Sequence, residues 1–459
     1  MSLYEKKILL KSDKKEVFAF HERPGALKRL SPPWQKIDVI RHKRGIDKGA
    51  SVKMHLYDPF KITWKAKHTE FIKNEFFEDI QTFGPFAFWK HQHIFEDLNK
   101  NLCSMTDRIE FKLYFHELVY PASEKILLNK LNKIFHYRHK ILQRDLIINS
   151  RFKDKKTILI SGASGVIGRL LIPKLTTAGH EVRTLVRRYP ENETEFYWNP
   201  YKKIIDPAAF DNTDAVINLS GENIGVGKWT KQKKNKIIKS RKDTASLLAE
   251  TINSLENPPE LFISASATGF YGDRGDERIN ENSVAGDLFI SDVCRTWEDS
   301  ALLCNNSKTR VVILRTGVVL TPEGGALPLL LKGFYTGTAG IVGSGNQYVS
   351  WISAEDFINS LYRIIFDTNI SGTVNSCSEN PVKFKELIKD ISKTIGLPAY
   401  LKIPEKAVKL LTGQRGYETV LCGAKVMPDK LLANNYKFIH NRPKDALKEM
   451  LGKEIAQHD

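Results

Sequence analysis

The sequence predicts an α/β protein: a doubly wound parallel sheet with a small, mostly helical C-terminal domain, preceded by an α+β domain of antiparallel strands around one long helix. Three observations carry this. A strand, a glycine-rich turn, a helix and a second strand follow one another from Thr157 to Arg188. From there to about residue 375, apolar strand-like runs alternate with helical ones, the rhythm of parallel βαβ units. Before residue 148 the pattern is instead one of short alternating runs followed by a long helical periodicity. At 459 residues the chain is too long for one ordinary domain, and the divisions expected are 1–148, 157–375 and 376–459.

In the first part, Lys7–Leu10, Ile37–Ile40, Ala50–Leu56, Ile62–His68 and Thr69–Phe77 read as strands, and Ser104–Leu118 alternates clearly. Lys14–Arg29 reads as a helix. Apolar residues at Ile126, Leu127, Leu131, Ile134, Phe135, Ile141 and Leu142 predict one long helix over Glu124–Leu146. A curved sheet gripping such a helix is a natural container for an apolar ligand. The polar stretch Asn149–Lys156 reads as a linker.

The unit that follows is the most specific signal in the chain. Thr157–Ser161 leads into Gly162-Ala-Ser-Gly165-Val-Ile-Gly168, then an amphipathic helix through Leu170, Leu171 and Leu175, then Val182–Val186. This is the opening of a Rossmann-type dinucleotide-binding fold. Gly162 permits the tight turn, Gly165 lets the backbone approach a pyrophosphate, and Gly168 allows the helix to pack on the sheet. Free N–H groups at the helix start hold the anion. An NAD site usually places an acid at the end of the second strand. Here the sequence reads Thr184-Leu-Val-Arg187-Arg188, so two guanidiniums stand where a 2′-phosphate would be gripped, and NADP is favoured. The same pair would also suit the start of a solvated loop.

Further strands are expected at Ala215–Leu219, Leu261–Ser264 and Val311–Leu314, and helices at Phe384–Ile395, Glu405–Leu411 and Lys444–Leu451. No apolar run approaches membrane-spanning length, and the charged N-terminus lacks a secretory h-region. The five cysteines (103, 294, 304, 377, 422) are scattered without a CxxC, which fits a reduced, cytoplasmic protein, and no metal site is assigned. The net charge of +17 is spread along the chain, with 28 Lys and Arg against 18 Asp and Glu in residues 1–150 and 42 against 35 beyond. The densest basic run, Lys228–Lys242, reads as a helix with a solvated face and has no nucleic-acid module beside it, so no nucleic-acid partner is expected.

From residue 157 the chain resembles the extended short-chain dehydrogenase/reductase superfamily, and within it the atypical, sugar-nucleotide epimerase-like branch. The resemblance rests on GASGVIG at 162–168, INLSGENIG at 217–225, SASATGFYGD at 264–273, VCRTWE at 293–298, RTGVVLTPEGGALP at 315–328 and GSGNQYVSWI at 343–352. The tail around Leu421–Pro428 resembles that branch's small C-terminal domain of unknown function. Residues 1–148 resemble the helix-grip domains of the START-like superfamily. The resemblance implies that Gly162, Ser164, Gly165, Ile167 and Gly168 line the pyrophosphate and Arg187 and Arg188 the adenosine phosphate. It further implies that Ser220 and Gly221 pass the cofactor's ribose and that Ser266 is the catalytic serine.

One part of the superfamily's pattern is missing. Its chemistry uses a tyrosine with a lysine four residues on, whose charge lowers the tyrosine pKa. Only Tyr57 has such a partner, Lys61, and it lies far outside the nucleotide-binding part. Ile290 and Cys294 stand where the pair is expected. Tyr271 is the candidate replacement acid/base, with a packing aromatic as the other reading. Arg295 could stabilise an oxyanion or sit on a helix surface, and Cys294 is more simply a buried thiol. Asp273 and Glu281 have no assigned partner, and Trp198 and Trp351 suit either a ligand contact or a packing role. Two functions are therefore expected as alternatives: an NADP-dependent oxidoreductase or epimerase acting on a small polar or nucleotide-linked substrate, or a non-catalytic NADP-binding sensor or scaffold. The oligomeric state is not legible.

Overall fold

The computed structural model describes residues 1–43, 45–57, 60–114 and 122–454. They form two compact units, one of the described residues within 1–155, 173–179 and 449–454, the other of residues 156–172 and 180–448.

The first unit is built on seven antiparallel strands. They are β1 (Ser2–Leu10), β2 (Lys36–Lys43), β3 (Ser51–Tyr57), β4 (Lys61–Ile72), β5 (Phe76–Phe83), β6 (Phe86–Asn99) and β7 (Leu102–Leu113), in the order β1-β7-β6-β5-β4-β3-β2. Between β1 and β2 lie α1 (Lys14–Glu22) and α2 (Ala26–Leu30). The single helix expected over Lys14–Arg29 is thus broken. Pro24 has no N–H to continue the ladder, and Gly25 adopts φ +91°. Of the two strands expected over Ile62–Phe77, residues 62–72 form one strand, β4; the chain reverses at Asn74, where φ is +63°, and Phe76 and Phe77 already begin β5. β6 is not expected from the sequence: its register shifts at Phe86/Phe88 and Asp97/Asn99, and two of its buried residues are His91 and His93, so no apolar–polar alternation marks it. Of the strand expected over Ser104–Leu118, residues 104–113 are strand and 115–118 lie outside the described residues.

The long helix runs from Ala122 to Asn149. Its Ile141, Leu142 and Leu146 pack in one apolar cluster with Phe18, Phe77, Phe95 and Met105, and its Leu131 and Phe135 in another with Trp64, Phe86, Trp89 and Phe111. Each such fully buried side chain contributes about 1.5–3 kcal/mol, so these two clusters hold helix and sheet together.

The second unit contains an eight-stranded sheet. Its strands are β8 (Thr157–Ser161), β9 (Glu181–Val186), β10 (Glu195–Asn199), β11 (Ile204–Ile205), β12 (Ala215–Asn218), β13 (Leu261–Ala267) and the segments Arg310–Thr316 and Gly372–Ser376. The spatial order is β11-β10-β9-β8-β12-β13 followed by those two segments, and every pairing is parallel except β10 with β11. The chain winds outward from β8 in one direction and then returns to β12 on its other side, so the topological switch point lies between β8 and β12. Crevices at such points, beyond the carboxyl ends of the strands, are where open α/β sheets bind ligands.

The basic run lies on the helix Lys231–Ser254, capped by Thr230 and buried along Ile237, Ser240, Arg241, Thr244 and Leu248. Its Ala245, Leu248, Ala249 and Ile252 pack with Leu159, Val216, Phe262 and Trp297. The tail is mostly helical, with helices at Phe384–Ile395, Glu405–Gly416 and Pro443–Met450. It is not compact by itself. Lys425–Val426 pairs with Arg278–Ile279, Leu401–Ile403 with Gly340–Val342, and Val382–Lys383 with Tyr348–Val349. No helix among the described residues is long and apolar enough to cross a membrane.

Candidate functional site

At the end of β8 the chain turns through Gly162, whose φ is +77°. A Cβ there would meet the Leu219 carbonyl at 2.7 Å and the Ser220 nitrogen at 2.9 Å, so only glycine lets the loop pass between β8 and β12. At Gly168 a Cβ would fall 2.5 Å from the Ala163 carbonyl oxygen, and its absence brings the helix Val166–Thr177 against the loop. A Cβ on Gly165 would meet only the Gly162 carbonyl oxygen, at 3.2 Å. Ser164 and Gly165 are exposed at the helix N-terminus, and Ile167 is half-buried in its first turn. The loop is a cradle open on its outer side, with helix-start amides behind it, and it fits a pyrophosphate.

A chain of small polar groups crosses the strand ends behind this cradle. Ser161 Oγ donates to Asn218 Oδ1 at 2.7 Å, Ser220 Oγ donates to Ser161 Oγ at 3.1 Å, and the Ser220 N–H reaches Asn218 Oδ1 at 3.2 Å. The loop after β12 is thereby held beside the glycines. Arg241 packs on Gly221, where a Cβ would lie 3.2 Å from its Cζ.

The two arginines after β9 differ. Arg188 grips Glu195 with both terminal nitrogens, at 2.8 and 2.6 Å, and this pairing raises its already high pKa. Arg187 is exposed and makes no hydrogen bond or ion pair among the described residues. Arg187 is therefore the guanidinium at hand for a phosphate.

Ser266 and Tyr271, the candidate catalytic pair, are brought together but in the interior. Ser266 Oγ donates to Glu298 Oε1 at 2.6 Å. Glu298 is gripped by Arg315 at 2.9 and 2.7 Å, and Arg315 also donates to the Tyr271 hydroxyl at 3.0 Å. Tyr271 donates in turn to Asn375 Oδ1 at 2.7 Å. Tyr271 is fully buried, and burial outweighs the nearby Arg315 to push its hydroxyl up to about 12. Both hydroxyls are committed to protein partners, which is the geometry of a structural network rather than of a poised acid/base. Glu298, Arg315 and Asn375 went unnoticed in the sequence because no local spacing links them.

The other candidates find ordinary roles. Cys294 is buried and its thiol is pushed up to about 11 by desolvation, so it is no nucleophile. Arg295 is exposed and paired with Asp292. Asp273 accepts from the Gly423 N–H, and Glu281, whose carboxyl burial pushes up, accepts from the Asn375 and Lys430 N–H groups. Trp198 lies in the core and Trp351 donates to the Asn380 carbonyl.

The first unit holds a cavity of about 680 Å³ that is partly open to solvent. Its wall is mostly apolar, with Met54, Leu56, Trp64, Phe86, Leu131 and Ile134 among the lining residues, and it includes Arg138 and several histidines.

The model of the NAD dependent epimerase/dehydratase family matches residues 158–375, and that of a domain of unknown function matches 403–450. An epimerase family protein of Mycobacterium bovis is 36% identical over 290 residues, covering 63% of this chain and 96% of the relative. Human epimerase family protein SDR39U1 is 31% identical over 297 residues, covering 64% of this chain and 99% of the relative. Among solved structures, the nucleoside-diphosphate sugar epimerase of Corynebacterium glutamicum aligns with a TM-score of 0.78 and 30% identity, covering 99% of this chain and 91% of that one. Human SDR39U1 solved with NADPH aligns at 0.60 with 30% identity, covering 64% and 99%.

Proposed function

The chain belongs to the NAD-dependent epimerase/dehydratase family, and from that premise we propose that it is an NADP-dependent oxidoreductase or epimerase acting on a small polar or nucleotide-linked substrate. The observation that carries this reading is the glycine cradle at the switch point, with an uncommitted Arg187 beyond the neighbouring strand. Gly162, Ser164, Gly165, Ile167 and Gly168 would hold the pyrophosphate and Ser220 and Gly221 the ribose. Arg187 would take the 2′-phosphate, with Arg188 beside it fixed by Glu195. The human relative solved with NADPH supports the same choice of nucleotide. When bound, NADP(H) supplies a hydride acceptor or donor. In this reading Ser266 polarises the substrate, which requires Glu298 to release its hydroxyl, and Tyr271 must likewise leave Arg315 and Asn375.

We divide the chain into a nucleotide-binding domain (157–375), a C-terminal domain (376–459) and an N-terminal START-like helix-grip module (1–148) that takes an apolar ligand, all in a reduced, cytoplasmic setting. The module is supported by its apolar cavity, whose volume is ordinary for a small-molecule site. A second reading, a non-catalytic NADP-binding sensor, is favoured by one observation: the hydroxyls of Ser266 and Tyr271 are spent, and Ile290 and Cys294 occupy the positions of the usual acid/base pair. Reduction of bound NADP⁺ by a panel of sugar nucleotides and small alcohols, lost in Ser266→Ala, supports the enzyme. Tight NADPH binding with no turnover across the panel supports the sensor.

A further inference from the structure

Two strands of the first unit, β5 and β6, place Asp79, His91 and His93 in the cavity wall, and β7 backs them with the buried Asp107. His91 and His93 are two residues apart on β6, so both leave the sheet on one face. Register sets Asp79 of β5 opposite His91, and Asp107 of β7 opposite His93. Asp107 is buried and serves three rings: it accepts from His91 Nε2 at 3.0 Å and from His139 Nε2 at 2.6 Å, and stands 2.9 Å from His93 Nδ1. Each of the two β6 histidines therefore keeps its other ring nitrogen away from Asp107. On that other side His91 Nδ1 faces Asp79 Oδ2 at 3.7 Å, too far for a hydrogen bond. One donor atom from each of Asp79, His91 and His93 lies within 4.8 Å of the other two.

We propose that Asp79, His91 and His93 bind one divalent transition-metal ion in the wall of this cavity. Two imidazoles and one carboxylate form a set suited to zinc, iron(II) or cobalt(II) and unsuited to calcium or magnesium, which take oxygen ligands. Bonds of about 2.0–2.2 Å place two ligands of one ion at most roughly 4 Å apart, so the three side chains need close by less than about 1 Å. Asp107 is the outer carboxylate that fixes ring orientation, as metal-bound histidines usually require. Three protein ligands leave the ion open to the cavity. Arg138, which lines the same cavity, opposes a cation, and removing its charge strengthens binding.

The test uses the full chain without a histidine tag, stripped with chelator and titrated with Zn²⁺ and, separately, Co²⁺. Expected are one equivalent of metal per chain and visible bands of nitrogen-ligated cobalt. His91→Ala, His93→Ala and the near-isosteric Asp79→Asn each weaken binding at least about 100-fold, and Asp107→Asn weakens it about 10–100-fold. Arg138→Met tightens it, and His55→Ala, on β3 and outside the cavity wall, leaves it unchanged. Melting curves in chelator confirm that the variants compared are folded. No binding by the native chain, or binding that survives His91→Ala with His93→Ala, overturns the proposal.

Discussion

Glu298 receives the Ser266 hydroxyl at 2.6 Å on the same carboxylate oxygen that Arg315 Nε reaches at 2.9 Å. Helix Phe289–Ala301 and two adjacent strands of the parallel sheet are tied at that point. Replacing Ser266 by Ala removes a buried hydrogen bond to a charged group and should cost about 1.5–3 kcal/mol. Thermal unfolding should shift down by several degrees with NADPH affinity unchanged. A loss of affinity instead would place Ser266 at the cofactor.

Arg315→Met leaves Glu298 charged and buried, and breaking a buried pair in this way costs roughly 3–5 kcal/mol. Adding Glu298→Gln should recover part of that loss, because no isolated charge remains. Urea midpoints of the two single variants and the double variant measure the coupling; simple additivity would mean that the pair does not interact.

Arg187→Ala should weaken NADPH binding about tenfold or more while leaving NADH binding within about twofold, since only NADPH offers the phosphate that needs a guanidinium. Arg188→Ala should have the smaller effect, its side chain being occupied by Glu195. Equal losses for both nucleotides in Arg187→Ala would remove the basis for an NADP preference.

Gly162→Ala places a methyl group 2.7 Å from the Leu219 carbonyl and forces a non-glycine residue to φ +77°. The backbone conformation alone costs about 1–2 kcal/mol, and the clash must also spread β8 from the loop after β12. Cofactor titration should show binding abolished while circular dichroism stays native-like.

Tyr271 holds its proton up to about 12 in the folded chain, against an ordinary value near 10. The folded state thus binds this proton more tightly than the unfolded one. The resulting stability is complete below pH 10 and is lost as pH rises toward 12, by roughly 2–3 kcal/mol. Urea midpoints across this range should fall for the native chain and more shallowly for Tyr271→Phe. Identical slopes would assign the alkaline loss to other groups.

What the sequence disclosed depends on how local the cause is. The glycine unit was legible because every requirement, turn, close approach and helix start, is met within twelve residues. β8 and the helix Phe384–Ile395 fall where expected, since each has unbroken periodicity. Lys14–Arg29 reads as one helix because its apolar spacing continues through Pro24, whose missing N–H breaks it in the structure. β6 is not legible because histidines at 91 and 93 fill its buried face and irregular register at both ends breaks the alternation. The buried network could not be read at all. Ser266, Glu298, Arg315 and Asn375 lie on separate elements and meet only through the order of the parallel strands.

Three short ladders bind the tail to loops emitted much earlier in the chain, at Arg278–Ile279, Gly340–Val342 and Tyr348–Val349. As a unit of inheritance, then, the tail is not portable. A gene truncated after residue 376 would make a protein with three unpaired backbone edges, and a tail grafted elsewhere would find no strands to complete. Frameshifts late in the gene should therefore be as damaging as those within the glycine loop, and recombination that respects function must exchange the stretch from β8 to Met450 whole.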